Sequence, residues 1–102
     1  MEETRIAGGA DIPEGEVRAF EVGDAEIAVA NVGSELLAFS NVCTHQQCSL
    51  DDGDLEDASI ICACHGSQFD LRTGEVISPP ATEPIEVYGV AVEGDDLVIS
   101  GS

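Results

Sequence analysis

Two short windows decide the reading of this chain: Cys43-Thr44-His45-Gln46-Gln47-Cys48, and Cys62-Ala63-Cys64-His65-Gly66-Ser67-Gln68-Phe69-Asp70. All four cysteines and both histidines of the 102 residues lie inside them. Cys43 and His45 are two positions apart, so a bent segment can aim both side chains at neighbouring points. Cys62 and His65 are three apart, the spacing of a metal-binding knuckle. Each window therefore offers one thiolate and one imidazole. The 16 residues between His45 and Cys62 suffice for a small sheet of their own. Two thiolates and two imidazoles form a complete ligand set for a 2Fe–2S centre with histidines on one iron. The same four form a tetrahedral zinc site, although zinc fingers usually present a cysteine pair and then a histidine pair, whereas each window here is mixed.

Outward from the windows the pattern is all-β. Residues 16–22 (EVRAFEV) and 25–32 (AEIAVANV) carry alternating apolar positions and flank Gly23-Asp24, a hairpin-turn pair. Val32-Gly33-Ser34 turns the chain again into 35–40 (ELLAFS). Residues 58–62 and 68–71 read as short strands on either side of the second window, and 85–93 and 96–100 as a closing hairpin across Gly94-Asp95. No 3.6-residue apolar stripe is sustained anywhere, and glycines recur at turn positions. The expectation is a compact antiparallel β domain over 1–102, with no internal repeat or linker.

The residues around the windows carry a family resemblance. Cys43-x-His45 and Cys62-x-x-His65 are accompanied by Leu50 and Gly53, by His65-Gly66-Ser67-x-Phe69-Asp70, by Gly74-Glu75-Val76 and by Pro79-Pro80. In this the chain resembles the Rieske family of iron–sulfur proteins. The resemblance implies a basal antiparallel β domain with a small inserted cluster-binding subdomain, here about 43–80, and one 2Fe–2S cluster held by Cys43, His45, Cys62 and His65. It implies that the Pro79-Pro80 segment shapes a third loop over the cluster. Cys48 and Cys64 match a pair that forms a disulfide between the ligand loops in high-potential respiratory members and that many oxygenase ferredoxins lack. A pair of buried thiols is the alternative, since disulfides are rare in reducing compartments. Ser67 matches a serine that donates to a bridging sulfide in those high-potential members. Phe69 stands where they carry a tyrosine whose hydroxyl donates to a cysteine sulfur, and that donor is absent here.

Charge bookkeeping gives the ligand set its consequence. Two ferric ions and two sulfides sum to +2, and two cysteinates bring the site to zero. Compared with an all-cysteine cluster, two negative charges are missing, so an electron is accepted more readily. The potential range rises from about −400 mV to roughly −150 to +300 mV. The missing tyrosine places this chain between the low oxygenase-ferredoxin and the high respiratory ranges. No nucleophile, base or substrate pocket is identifiable, which fits a carrier rather than an enzyme. The leading expectation is a soluble ferredoxin passing single electrons from a reductase to a terminal oxygenase or similar acceptor. The alternatives are a relative of a respiratory Rieske subunit, a small subunit of a larger reductase, and a zinc-stabilised interaction module.

Composition bounds the partners. Twenty-one acidic residues face three arginines and no lysine, for a net charge of −18. Phosphate backbones and anionic membranes need the opposite sign, so nucleic acid and anionic membranes are poor partners and neither is expected. The acidity suits a solvated surface, docking onto basic faces of redox proteins, or life in a salty cytoplasm. No stretch nears the roughly 18 apolar residues of a membrane span, and residues 1–20 lack a secretory pattern, so the chain reads as cytoplasmic.

Overall fold

The structure, a computed structural model, describes residues 3–22, 25–33, 35–42, 49–63, 66–79 and 82–100. Strands β2 (Val17–Val22), β3 (Ala25–Val32) and β4 (Glu35–Ser40) form an antiparallel meander. Val22 pairs with Ala25 and Val32 with Glu35, so each connection spans only two residues. Gly33 supplies a positive φ of 57° for the second, while residues 23, 24 and 34 lie outside the described set. Strands β9 (Val87–Glu93) and β10 (Asp96–Ser100) form a hairpin across Gly94-Asp95, with Gly94 at φ 65°. Strand β1 (Thr4–Ile6) adds to the outer side of β10. The pairs Ala38–Tyr88 and Phe39–Val87 join β4 to β9, giving one six-stranded sheet in the order β1-β10-β9-β4-β3-β2. Either side of this short junction the sheet folds over on itself, because Leu97 and Ile99 of β10 pack in one core with Ile27 and Val29 of β3.

A second sheet is inserted between β4 and β9. It is built from β5 (Asp54–Glu56), β6 (Ser59–Ile61), β7 (Gln68–Asp70) and β8 (Val76–Ser78), paired antiparallel in that order. A 3-10 turn, Leu50–Asp52, leads into it. The described residues thus contain antiparallel sheets and no α-helix, and none of their helices is long and apolar enough to cross a membrane. The strand expectations match within two residues. Strands β1, β5 and β8 escaped them, since three residues are too few to display a period of two; β6 and β7, equally short, were legible because they flank the second window.

Strand β3 joins the two sheets because it is buried on both faces. Successive side chains of a strand point to opposite sides. Ile27 and Val29 accordingly face the fold-over core, while Ala28 and Ala30 face a second core with Phe39, Leu50, Ile60, Cys62, Phe69, Leu71 and Ile85. Large and small residues oppose each other across the β3–β4 ladder: Ala28 faces Phe39, Val29 faces Ala38 and Ala30 faces Leu37. That complementarity lets both layers pack against β3. We expect Ala28→Leu to cost about 1–3 kcal/mol by overpacking. Leucine at Ala19, its exposed cross-strand partner on β2, should change stability by less than about 0.5 kcal/mol. Urea denaturation of the two variants tests this, and equal effects would contradict the two-faced packing of β3.

Charge works against this fold. Arg5 bridges Glu93 and Asp96, tying β1 to the β9–β10 hairpin, and Arg72 pairs with Glu35. The Gly8 N–H and the Arg5 guanidinium hold the Asp96 carboxyl below its usual range. Exposed pairs of this kind are weak and screened by solvent, and they stand against the self-repulsion of a net charge of −18. Screening should therefore help more than it harms, with the Debye length falling from roughly 10 Å to 3 Å between 0.1 and 1 M salt. The melting temperature should rise across that range, as followed by circular dichroism. A falling melting temperature would show that the ion pairs outweigh the repulsion.

Candidate metal centre

The second window begins where β6 ends. Ile61 still pairs with Gln68 of β7, and the chain then turns tightly between Cys62 and Ser67. The Cys62 N–H donates to the Ser67 carbonyl at 2.7 Å, and the Gly66 N–H donates back to the Cys62 carbonyl at 3.0 Å. Gly66 adopts a φ of 79°, which glycine takes without a Cβ penalty. Cys62 is a buried thiol at 2% exposure, and Ser67 is fully buried. A soft sulfur donor and a hydroxyl are thereby placed at the mouth of one rigid turn. This donor chemistry suits a thiolate-ligated iron or zinc centre. Cys64 and His65 lie outside the described residues.

The first window is pinned at both ends. Val42 and Ser49 form an antiparallel bridge, and the Leu50 N–H donates to the Asn41 carbonyl at 2.7 Å. Between them, Cys43, His45 and Cys48 lie outside the described residues. Leu50 then inserts into the same core as Cys62, and Gly53 brings the chain against the second window. A Cβ on Gly53 would sit 2.0 Å from the carbonyl oxygen of Ile61, the residue before Cys62. Only glycine permits that approach.

A third segment is closed in the same manner. Gly74, at φ 83°, accepts from the Ile85 N–H at 2.9 Å, and a Cβ there would lie 2.1 Å from the Ile85 carbonyl oxygen. Between these points lie β8 and Pro79, which is exposed, while Pro80 is outside the described residues. Phe69 sits on β7 between Ile60 and Val76, fully buried in the core shared with Cys62. Among the described residues, then, the structure brings Cys62, Ser67 and Phe69 together. It sets the flanks of the first window beside them and leaves Pro79 at the surface.

The family comparison decides between iron and zinc. The profile of the Rieske [2Fe-2S] domain matches residues 2–89. The chain belongs to the Rieske family. It is 38% identical over 96 residues to the ferredoxin component of biphenyl 2,3-dioxygenase from Rhodococcus jostii strain RHA1, covering 94% of this chain and 90% of that protein. The solved ferredoxin of carbazole 1,9a-dioxygenase from Nocardioides aromaticivorans IC177 superposes with a TM-score of 0.90 at 30% identity, covering all of both chains. A solved complex of reduced oxygenase and oxidized ferredoxin in carbazole 1,9a-dioxygenase matches with a TM-score of 0.87 at 33% identity, covering 97% of this chain and 93% of that one. This Rieske-type ferredoxin is accordingly an electron-transfer protein carrying one 2Fe–2S cluster per chain.

Nothing in the sequence marks Asn41 as a site residue, and Gly53 and Gly74 enter there only through the family resemblance. An asparagine at a strand end reads as a turn residue, and two glycines among eleven carry no mark of close approach. Gly53 gives the sharpest test of the Rieske geometry. Gly53→Ala should displace the Ile61 backbone, lowering the iron-to-protein ratio of the purified holoprotein and its denaturation midpoint together. Gly66→Ala, where a Cβ meets open space, should cost only the roughly 1–2 kcal/mol of its positive φ. Equal losses in the two variants would argue against Gly53 as the contact that spaces the windows.

Proposed function

We propose that Cys43 and Cys62 ligate one iron and His45 and His65 the other, within a cluster-binding subdomain of about 43–80 in a single domain of 1–102. The observation that carries this reading is the pinning of every relevant segment to one core. Residues 43–48 are closed by Val42 and Ser49, the Cys62–Ser67 turn by its own two hydrogen bonds, and the third segment by Gly74 and Ile85. Leu50, Cys62 and Ile85, each at or next to one of these closures, share that core. When bound, the cluster accepts and returns one electron at a potential raised by neutral imidazole ligands. The chain's own part is to hold four donors rigid and to exclude water from the thiolate side through the apolar packing around Cys62. Imidazoles at the protein edge would provide the electron route and lose a proton from their outer nitrogens at alkaline pH. Ser67 is read as a donor toward a sulfide, Pro79 as part of the covering segment, and Cys48 with Cys64 as a disulfide between the two windows.

The partners follow from the relatives. Proteins similar over nearly the whole chain are named as ferredoxin components of dioxygenases, and one is solved together with its oxygenase. We therefore assign this chain the transfer of single electrons from a reductase to a terminal oxygenase, in the cytoplasm. A respiratory relative is the second reading, supported by Cys48, Cys64 and Ser67, and opposed by Phe69 in place of a hydroxyl donor.

Protein-film voltammetry across pH, with wild type and the Cys43, His45, Cys62 and His65→Ala variants, tests the proposal. We expect a one-electron wave between about −150 and +300 mV, a potential that falls at alkaline pH, and loss of the wave in each variant. A colourless protein carrying zinc would overturn the assignment, as would an iron centre that survives replacement of both histidines.

A further inference from the structure

The side chain of Asn41 is 99% buried, and its hydrogen-bonding capacity is used on one junction. Its Oδ1 accepts from the Asp51 N–H at 2.8 Å. Its Nδ2 donates to Asp51 Oδ1 at 2.9 Å and to Glu26 Oε1 at 2.7 Å. The main chain adds two more bonds: the Asn41 N–H donates to the Glu26 carbonyl at 2.9 Å, and the Asn41 carbonyl accepts from Leu50 at 2.7 Å. One residue thus links three pieces of chain: β3 through Glu26, the start of the first window two positions before Cys43, and its end through Leu50 and Asp51.

Such an amide is suited to its place. Two carboxylates meet here in a chain already overloaded with negative charge, and a neutral group with two N–H donors satisfies both at once. A buried polar group that lost these partners would carry its full desolvation penalty. The junction also reaches the second window, since the 3-10 turn held by Asn41 leads directly to Gly53, whose backbone rests on the Ile61 carbonyl before Cys62.

We infer that Asn41 is a positioning residue for the 2Fe–2S cluster: it clamps both ends of the first ligand window to β3 and, through Asp51 and Gly53, spaces that window from Cys62. The inference rests on the ligand assignment proposed above. It concerns a residue outside the proposed ligand set, and its effect is carried by geometry.

The test compares full-length holoprotein with Asn41→Ala, Asn41→Asp and the double substitution Asn41→Asp with Asp51→Asn. In the double variant the donor and acceptor are exchanged across the junction. Leu97→Ala and Ile99→Val, in the core on the other face of β3, serve as controls matched for loss of melting temperature. Three quantities are read: the rate of iron release to a chelator, the electron paramagnetic resonance spectrum of the reduced protein, and the midpoint potential. Removing a residue that orients ligands typically costs tenfold or more in metal retention. We expect Asn41→Ala and Asn41→Asp to release iron about tenfold faster than wild type, with altered g values. The double variant should recover part of the difference, and the matched controls should keep the wild-type spectrum. If Asn41→Ala does not fold, the comparison of Asn41→Asp with the double variant carries the same test. Iron release and spectra in the Asn41 variants equal to those of the controls would overturn the inference. Full iron retention in Cys43→Ala would instead sink the ligand assignment, a separate result because Asn41 is intact there.

Discussion

Phe39, Leu50, Ile60, Cys62, Phe69 and Ile85 come from widely separated parts of the chain and meet in one apolar core between the two sheets. Each stands beside a segment that matters for the metal centre. Leu50 follows the first window, Ile60 and Phe69 flank the second, and Ile85 closes the third. Burial of side chains of this size contributes roughly 1.5–3 kcal/mol apiece, while fixing each backbone residue costs roughly 1–2 kcal/mol. The two terms are of similar size, so these anchors hold the connecting segments in place by acting together in one shared core. Among the described residues Cys62 stands just past the end of β6, so its position depends on that core rather than on a ladder of its own.

The backbone solution is the same at all three segments. Each is closed at its base by a short-range main-chain contact, and at two of them a glycine lets backbone pass against backbone at a distance no Cβ would tolerate. Rigid bases combined with short connections suit a carrier of electrons, since a site that changes little on gaining one electron exchanges it with little reorganisation. The role is one of support: the strands set the positions at which the connecting segments begin and end.

Acidity sets the second condition. With a net charge of −18 and no lysine, cations are scarce, and two of the three arginines are paired within the chain, Arg5 joining β1 to the β9–β10 hairpin and Arg72 joining the turn after β7 to β4. A neutral amide between Glu26 and Asp51 settles locally what the composition makes difficult globally. The same negative field suits a partner with a basic face and falls away with salt. Docking and stability are thus expected to respond to ionic strength in opposite directions.

The chemistry of the centre was legible in the sequence because it is written in residue types and short spacings. Cysteine and histidine are scarce, they are the strong soft ligands, and all six cluster in two windows. The longer strands were legible too, since alternation over six to eight residues declares itself, and the two-residue connections at 33–34 and 94–95 carry their glycines openly. Tertiary structure alone decided that β3 is covered on both faces, that β1 pairs with β10, that Asn41 ties Glu26 to Asp51, that Gly53 meets Ile61, and that Gly74 meets Ile85. Those features depend on contacts between residues far apart in the chain, and a glycine or asparagine looks the same in sequence whether it marks a solvent turn or the point where two backbones meet.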